Sequence, residues 1–93
     1  MLLLASISYA EQIDRAMIGC NTEKQLKKLL SFVASMDYDS YQKMLRSGEC
    51  VGLQIGTEVK VLDIGSWTSG GNTIKVKMKG REKPVWTMQE AVK

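Results

Sequence analysis

Lys75, Lys77 and Lys79 stand at every second position of one short segment. If that segment is extended, the three ammonium groups leave one face about 6.5–7 Å apart, where lysines can neutralise phosphates. Lys60 lies in a second alternating segment and Arg81 in the turn after the first, so both can support the same face. Trp67 stands between Ser66 and Thr68, just ahead of the glycine-rich Ser69-Gly70-Gly71-Asn72. An exposed indole beside a row of cations can stack on a base while the lysines neutralise phosphates. The expected nucleic-acid-binding set is therefore Lys60, Trp67, Lys75, Lys77, Lys79 and Arg81. The competing reading is that alternating lysines keep the outer face of a strand in water and guard a sheet edge against unwanted pairing. Trp86, next to Val85 on another short segment, reads as core.

Residues for bond-making chemistry are scarce. The chain has no histidine, which removes Ser–His and Cys–His nucleophiles and histidine-ligated metal. No glycine-rich stretch runs into Lys-Ser or Lys-Thr, so no phosphate-cradling P-loop is present. Asp37 and Asp39 could face a metal as a D-x-D pair, and Glu11 with Asp14 could share one helical face. Near helix starts such groups serve as caps and dipole partners. Cys20 and Cys50 are separated by 30 positions with no C-x-x-C; they could form one disulfide, but a secreted small scaffold usually carries more, and two half-buried thiols in a reducing compartment are expected. The expectation is a non-enzyme without cofactor or bound metal, and nothing identifies a small-molecule ligand.

The charge that matters is uneven. Residues 1–50 hold six Lys and Arg against six Asp and Glu, while residues 51–93 hold seven against four, so the whole net charge of +3 lies in the second half. A length of 93 residues, 44% hydrophobic and 25% charged, fits one globular domain with a modest core. Met1-Leu2-Leu3-Leu4-Ala5-Ser6-Ile7 is apolar, but no Lys or Arg precedes it and Glu11, Asp14 and Arg15 follow closely. It is read neither as a signal peptide nor, with Met17-Ile18-Gly19-Cys20, as a lipoprotein box. No apolar run reaches 18 residues, so no membrane helix is expected, and the cytoplasm is the expected location.

The elements that must hold these residues change character near Gly48. Ser8-Tyr9-Ala10-Glu11 fits a capping box, and Ala10, Ile13, Met17 and Cys20 follow at helical spacing, with Gly19 as the stop. Thr22-Glu23-Lys24-Gln25 is a second capping box, ahead of a stripe of Leu26, Leu29, Leu30 and Val33. Asp39 with Gln42 opens a third helix, with Tyr41, Met44 and Leu45 on one face and Gly48 at its end. Beyond Gly48 the period becomes two. Thr57 to Asp63 alternates at first, Thr73 to Lys79 throughout, and Leu53 with Ile55 can add a short strand. Gly80 to Lys83 reads as a turn, and Pro84 to Thr87 as an edge strand, where proline's missing donor is tolerated. Thr87-Met88-Gln89-Glu90 is a further capping box, opening a last helical turn. The expected fold is α+β, one domain over 1–93: about three helices in 1–48 packed on a small antiparallel sheet in 49–93 that ends in a short helical turn.

Gly56-Thr57-Glu58-Val59-Lys60-Val61, the Gly/Ser-rich loop, the strand from Ile74 to Lys79, the tight turn, Pro84-Val85-Trp86 and the short terminal helix together resemble an SH3-like small β-barrel. The resemblance covers Gly56 to Lys93. It implies a five-stranded barrel, of which three strands are legible. The acidic loop and paired aromatics of peptide-binding SH3 domains have no counterpart, so the resemblance does not imply proline-rich ligands. The functional expectation is a small non-catalytic binding module whose basic β face holds nucleic acid with little sequence preference. The alternative is a protein-interaction or adaptor domain, suggested by six methionines and by the apolar Leu2, Leu3 and Leu4.

Overall fold

The helix from Glu23 to Ala34 (α1) begins where its capping box places it. In the computed structural model, which describes residues 9–65 and 73–92, the Thr22 hydroxyl accepts from the Gln25 amide and the Gln25 side chain accepts from the Thr22 amide. Leu26 and Leu29 are buried on one face. The helix from Tyr38 to Arg46 (α2) starts at Asp37 rather than Asp39. The Asp37 carboxylate accepts from the Ser40 amide and hydroxyl. Gly48 closes α2 at φ 82°, a left-handed conformation that glycine adopts without steric cost.

Six strands are described: Glu11–Gln12 (β1), Met17–Cys20 (β2), Cys50–Leu53 (β3), Glu58–Ile64 (β4), Thr73–Met78 (β5) and Val85–Met88 (β6). They form one antiparallel sheet in the order β1-β4-β5-β6-β2-β3. A 3-10 turn, Gln89–Ala91, follows β6. It returns the chain so that Val92 bridges to Ile13.

The two faces of the sheet bury different cores. Ile13, Leu53, Val59, Ile74, Val76, Met78 and Val85 fill one face, with Val51, Val61 and Val92 against them. Cys20 and Cys50 lie on the other face beneath Leu26, Leu29 and Met44, with Ile18, Tyr41, Trp86 and Met88 at the margin. The helices therefore cover only the β6-β2-β3 end. α1 packs on β2 and β6, and α2 on β3. Glu23, in the first turn of α1, accepts a hydrogen bond from the buried Thr73 hydroxyl at the start of β5.

Three expectations are corrected. The first of the expected three helices does not form: β1 and β2 occupy its place, leaving two α-helices among the described residues. The spacing of Ile13 and Cys20 suits one helical face, yet these residues serve the two opposite faces of the sheet. Gly19 is a packing residue rather than a helix stop, since a Cβ there would lie 2.8 Å from Val85 Cγ2. Thr87 is not a cap; it is buried, and its hydroxyl donates to the Ile18 carbonyl at 3.1 Å. The segment from Pro84 to Thr87 is not an edge: β6 lies between β5 and β2. Pro84 precedes the strand, so no ladder bond is lost.

The break in alternation after Val61 has a cause. Val61 pairs with Val76 and Asp63 with Lys75, so Leu62 is an extra residue, a bulge. Its insertion inverts the parity of β4 and sets Ile64 opposite Ile74.

Candidate interaction surfaces

The lysine row is built as the alternation requires, but its charges are largely engaged. On β5, Ile74, Val76 and Met78 face the core, which puts Lys75 and Lys77 on the opposite face. Lys77 is directly opposite Lys60 on β4, and two like charges so placed repel. Its ammonium turns away and donates to the carbonyls of Met78, at 2.9 Å, and Arg81. Lys79, beyond the strand, pairs with Glu58 at 3.0 Å. Lys75 is half-buried between Asp63 on one side and Trp86 on the other. Arg81 donates to the Asn21 side chain and to the Lys83 carbonyl. Lys60 is exposed and carries no ion pair among the described residues. Trp67 lies outside the described residues. The structure thus brings Lys60, Lys75 and Lys77 onto adjoining strands, with Lys79 and Arg81 at their end. Of these five cations, Lys60 alone is both exposed and uncommitted.

Trp86, read from sequence as core, is half-buried at the margin of the helix-covered cluster, on the lysine side of β6. Its ring also limits what can stand at Gly65. A Cβ at Gly65 would overlap the Glu23 carboxylate and the Thr73 hydroxyl and come within 3.0 Å of the Trp86 ring. Glycine is required there because helix start, strand start and indole converge on one backbone position.

The cysteines overturn their expectation. Cys20 and Cys50 are directly paired across β2 and β3 and form a disulfide. Both are fully buried beneath the helices. The bond closes the loop that carries α1 and α2, at the point where the helical pair leaves the sheet. The two residues meet because β2 and β3 are neighbours, a relation that their 30-residue separation conceals.

A surface that the residue pattern did not single out lies at the turn between the helices. Val33, Met36 and Tyr38 are 43%, 72% and 57% exposed. The Asp37 amide donates to the Phe32 carbonyl and the Met36 amide to that of Val33, a Schellman closure of α1. The position that this closure reserves for a left-handed residue is Met36, at φ 60°. Glycine is the usual occupant, and a side chain there costs about 1–2 kcal/mol. A methionine is instead held outward beside an exposed tyrosine. The signal in the sequence was an apolar helix end with no glycine after it.

Asp37 and Asp39 flank this tip, and Lys28 lies 5.9 Å from the centre of the Phe32 ring one turn behind it. Elsewhere Leu62 and Ile64, 45% and 70% exposed, stand where β4 has run past its partner β1. Among the described residues no helix is long and apolar enough to cross a membrane. No protein-family model, curated protein or solved structure matches the chain.

Proposed function

We propose that this chain is a non-catalytic protein-interaction module that engages its partner through the tip of the helical pair. The observation that carries the reading is the outward Met36, held in a left-handed conformation between exposed Val33 and Tyr38. A flexible thioether and an aromatic ring suit an apolar pocket. The flanking Asp37 and Asp39 favour a pocket with a basic rim, through charge complementarity. An SH3-like small barrel would serve as the rigid base. That reading is supported by the consecutive antiparallel strands β4, β5 and β6, the 3-10 turn after them, and the return of Val92 to Ile13.

Nucleic-acid binding through Lys60, Trp67, Lys75, Lys77, Lys79 and Arg81 is the second reading. What favours it is the excess charge of this half together with the uncommitted Lys60. What weighs against it is the engagement of Lys77, Lys79 and Arg81 by the protein itself.

One experiment separates the two. A photoreactive side chain is placed at Met36 in the full chain, and at exposed Lys83 as a control. The tip reading expects a discrete protein adduct from position 36, lost when Val33 and Tyr38 are both replaced by serine, and none from position 83. Equal labelling from both positions would overturn it. Retention on nucleic acid that weakens steeply between about 50 and 200 mM salt, and that is lost on charge reversal of Lys60 and Lys75, would favour the second reading.

A further inference from the structure

The two ends of the sheet differ in how they meet solvent. At one end β1 is two residues long, β4 beside it carries the bulge at Leu62, and the Asp63 carboxylate accepts from the Ile64 amide at 2.8 Å. Short edges, bulges and charged side chains all discourage the addition of a foreign strand. At the other end β3, Cys50-Val51-Gly52-Leu53, has no charge, no proline and no bulge, and its register with β2 is unbroken. The Asn21 amide donates to the Glu49 carbonyl, which continues that register by one pair. This sets the phase of the ladder: Val51 and Leu53 turn their N–H and C=O groups to β2, and Gly52 turns both of its own outward. No described strand lies beyond β3.

Nothing inside the fold calls for a glycine at this position. Gly52 is not among the positive-φ glycines, and a Cβ there would meet nothing within 4 Å. Glycine inside a strand weakens it, and it marks places where another backbone or a ligand comes close. The space left open belongs to a groove of about 550 Å³, lined by Met17, Ile18, Tyr41, Gly52 and Leu53, with Ala16 and Gln54 at its end. Ile18 stands directly opposite Gly52 on β2, and Tyr41 comes from α2. None of these lining residues is charged. The groove therefore suits a large uncharged side chain, and the edge beside it suits an extended backbone.

We propose that the outer edge of β3 takes a strand from a partner protein: an extended, uncharged segment that pairs antiparallel with β3 and seats an aromatic side chain over Gly52, against Ile18 and Tyr41. Gly52 and the incoming aromatic residue exchange both backbone hydrogen bonds, as in strand addition generally. The ring covers the space that a side chain on Gly52 would have filled, the way an aromatic neighbour shields an edge glycine. A second copy of this chain fits less well. Pairing β3 with β3 about a two-fold axis at Gly52 sets glycine opposite glycine and leaves both grooves empty. The edge is separate from the tip formed by Val33, Met36 and Tyr38, so this site does not depend on the tip.

The test is a peptide titration of the isotope-labelled full chain, followed by amide NMR. The probes are the end-blocked peptide Thr-Val-Phe-Val-Thr, the same peptide with glycine for phenylalanine, and the phenylalanine peptide N-methylated at the phenylalanine amide. The expected result is saturable shifts of the β3 amides with the first peptide, and binding at least about tenfold weaker with each of the other two. Gly52→Val should also weaken the first peptide at least about tenfold. It should keep or raise the urea midpoint, because its side chain enters open space in a strand. Absence of β3 shifts at about 1 mM of the first peptide would overturn the site. Equal binding of the N-methylated peptide would overturn strand pairing, and equal binding of the glycine peptide would overturn the aromatic seat. Undiminished binding to a folded Gly52→Val chain would place the peptide elsewhere; should that variant not fold, the three peptides on the unaltered chain decide. Shifts of β3 that grow with protein concentration in the absence of peptide would assign the edge to a second copy and overturn the partner segment.

Discussion

Met36 shows what a side chain costs in a left-handed conformation. Glycine at its left-handed position relieves steric strain between Cβ and backbone, and the methionine side chain is mostly in solvent. Met36→Gly should therefore stabilise the fold by about 1 kcal/mol, read as a higher urea midpoint, and under the proposed function it should also weaken binding of the partner. Gly19 is the opposite case. Its missing Cβ leaves room for fully buried Val85, so Gly19→Ala should destabilise by about 1–3 kcal/mol in the same measurement. The surface lysines matter less to folding. The Lys79–Glu58 pair is largely exposed, so Lys79→Gln should change stability by less than about 1 kcal/mol. Alternation alone placed Lys75 and Lys77 on one face, correctly. It could not say that Lys77 would bend back to carbonyls, because that follows from Lys60 arriving opposite it on another strand.

At the level of elements, local signals succeeded where the element satisfies itself. The Thr22 capping box closes within four residues and needs no distant partner. Thr22→Ala should lower stability by about 1 kcal/mol, visible as loss of helical circular dichroism at lower urea. The expected first helix failed for the complementary reason. Spacings of three and four fit a helical stripe, but a chain that turns between two short strands can bury the same residues on opposite faces. Ile13 and Cys20 do this. In β4 the sequence alternates up to the bulge at Leu62 and then loses its period, because pairing with β5 and not local preference restores the register.

Across the whole molecule, the disulfide lies within one of the two cores, the one the helices cover. One core fills one face of the sheet, and the other lies between the opposite face and the helices. For a loop of 30 residues, the chain-entropy relation gives about 3–4 kcal/mol of stabilisation. Reduction, or Cys50→Ser, should remove an amount of that order from the denaturation free energy. Hydrogen exchange should show where it goes. The amides of α1 and α2 should lose protection first, while those of β4 and β5, whose core does not include the disulfide, persist longer. Simultaneous loss throughout would show that the two cores unfold as one unit.

The amino-acid sequence by itself determined the α+β class, the start of α1, the alternating β5 and the turn at Gly80, because each depends on contacts only a few residues apart. Tertiary structure decided the rest. It made β1 and β2 strands rather than a helix, placed β6 in the interior of the sheet, and brought Cys20 to Cys50. It also engaged the lysines expected to be free. Each of these outcomes depends on which strand or helix lies alongside, a relation between residues tens of positions apart that composition and spacing do not encode.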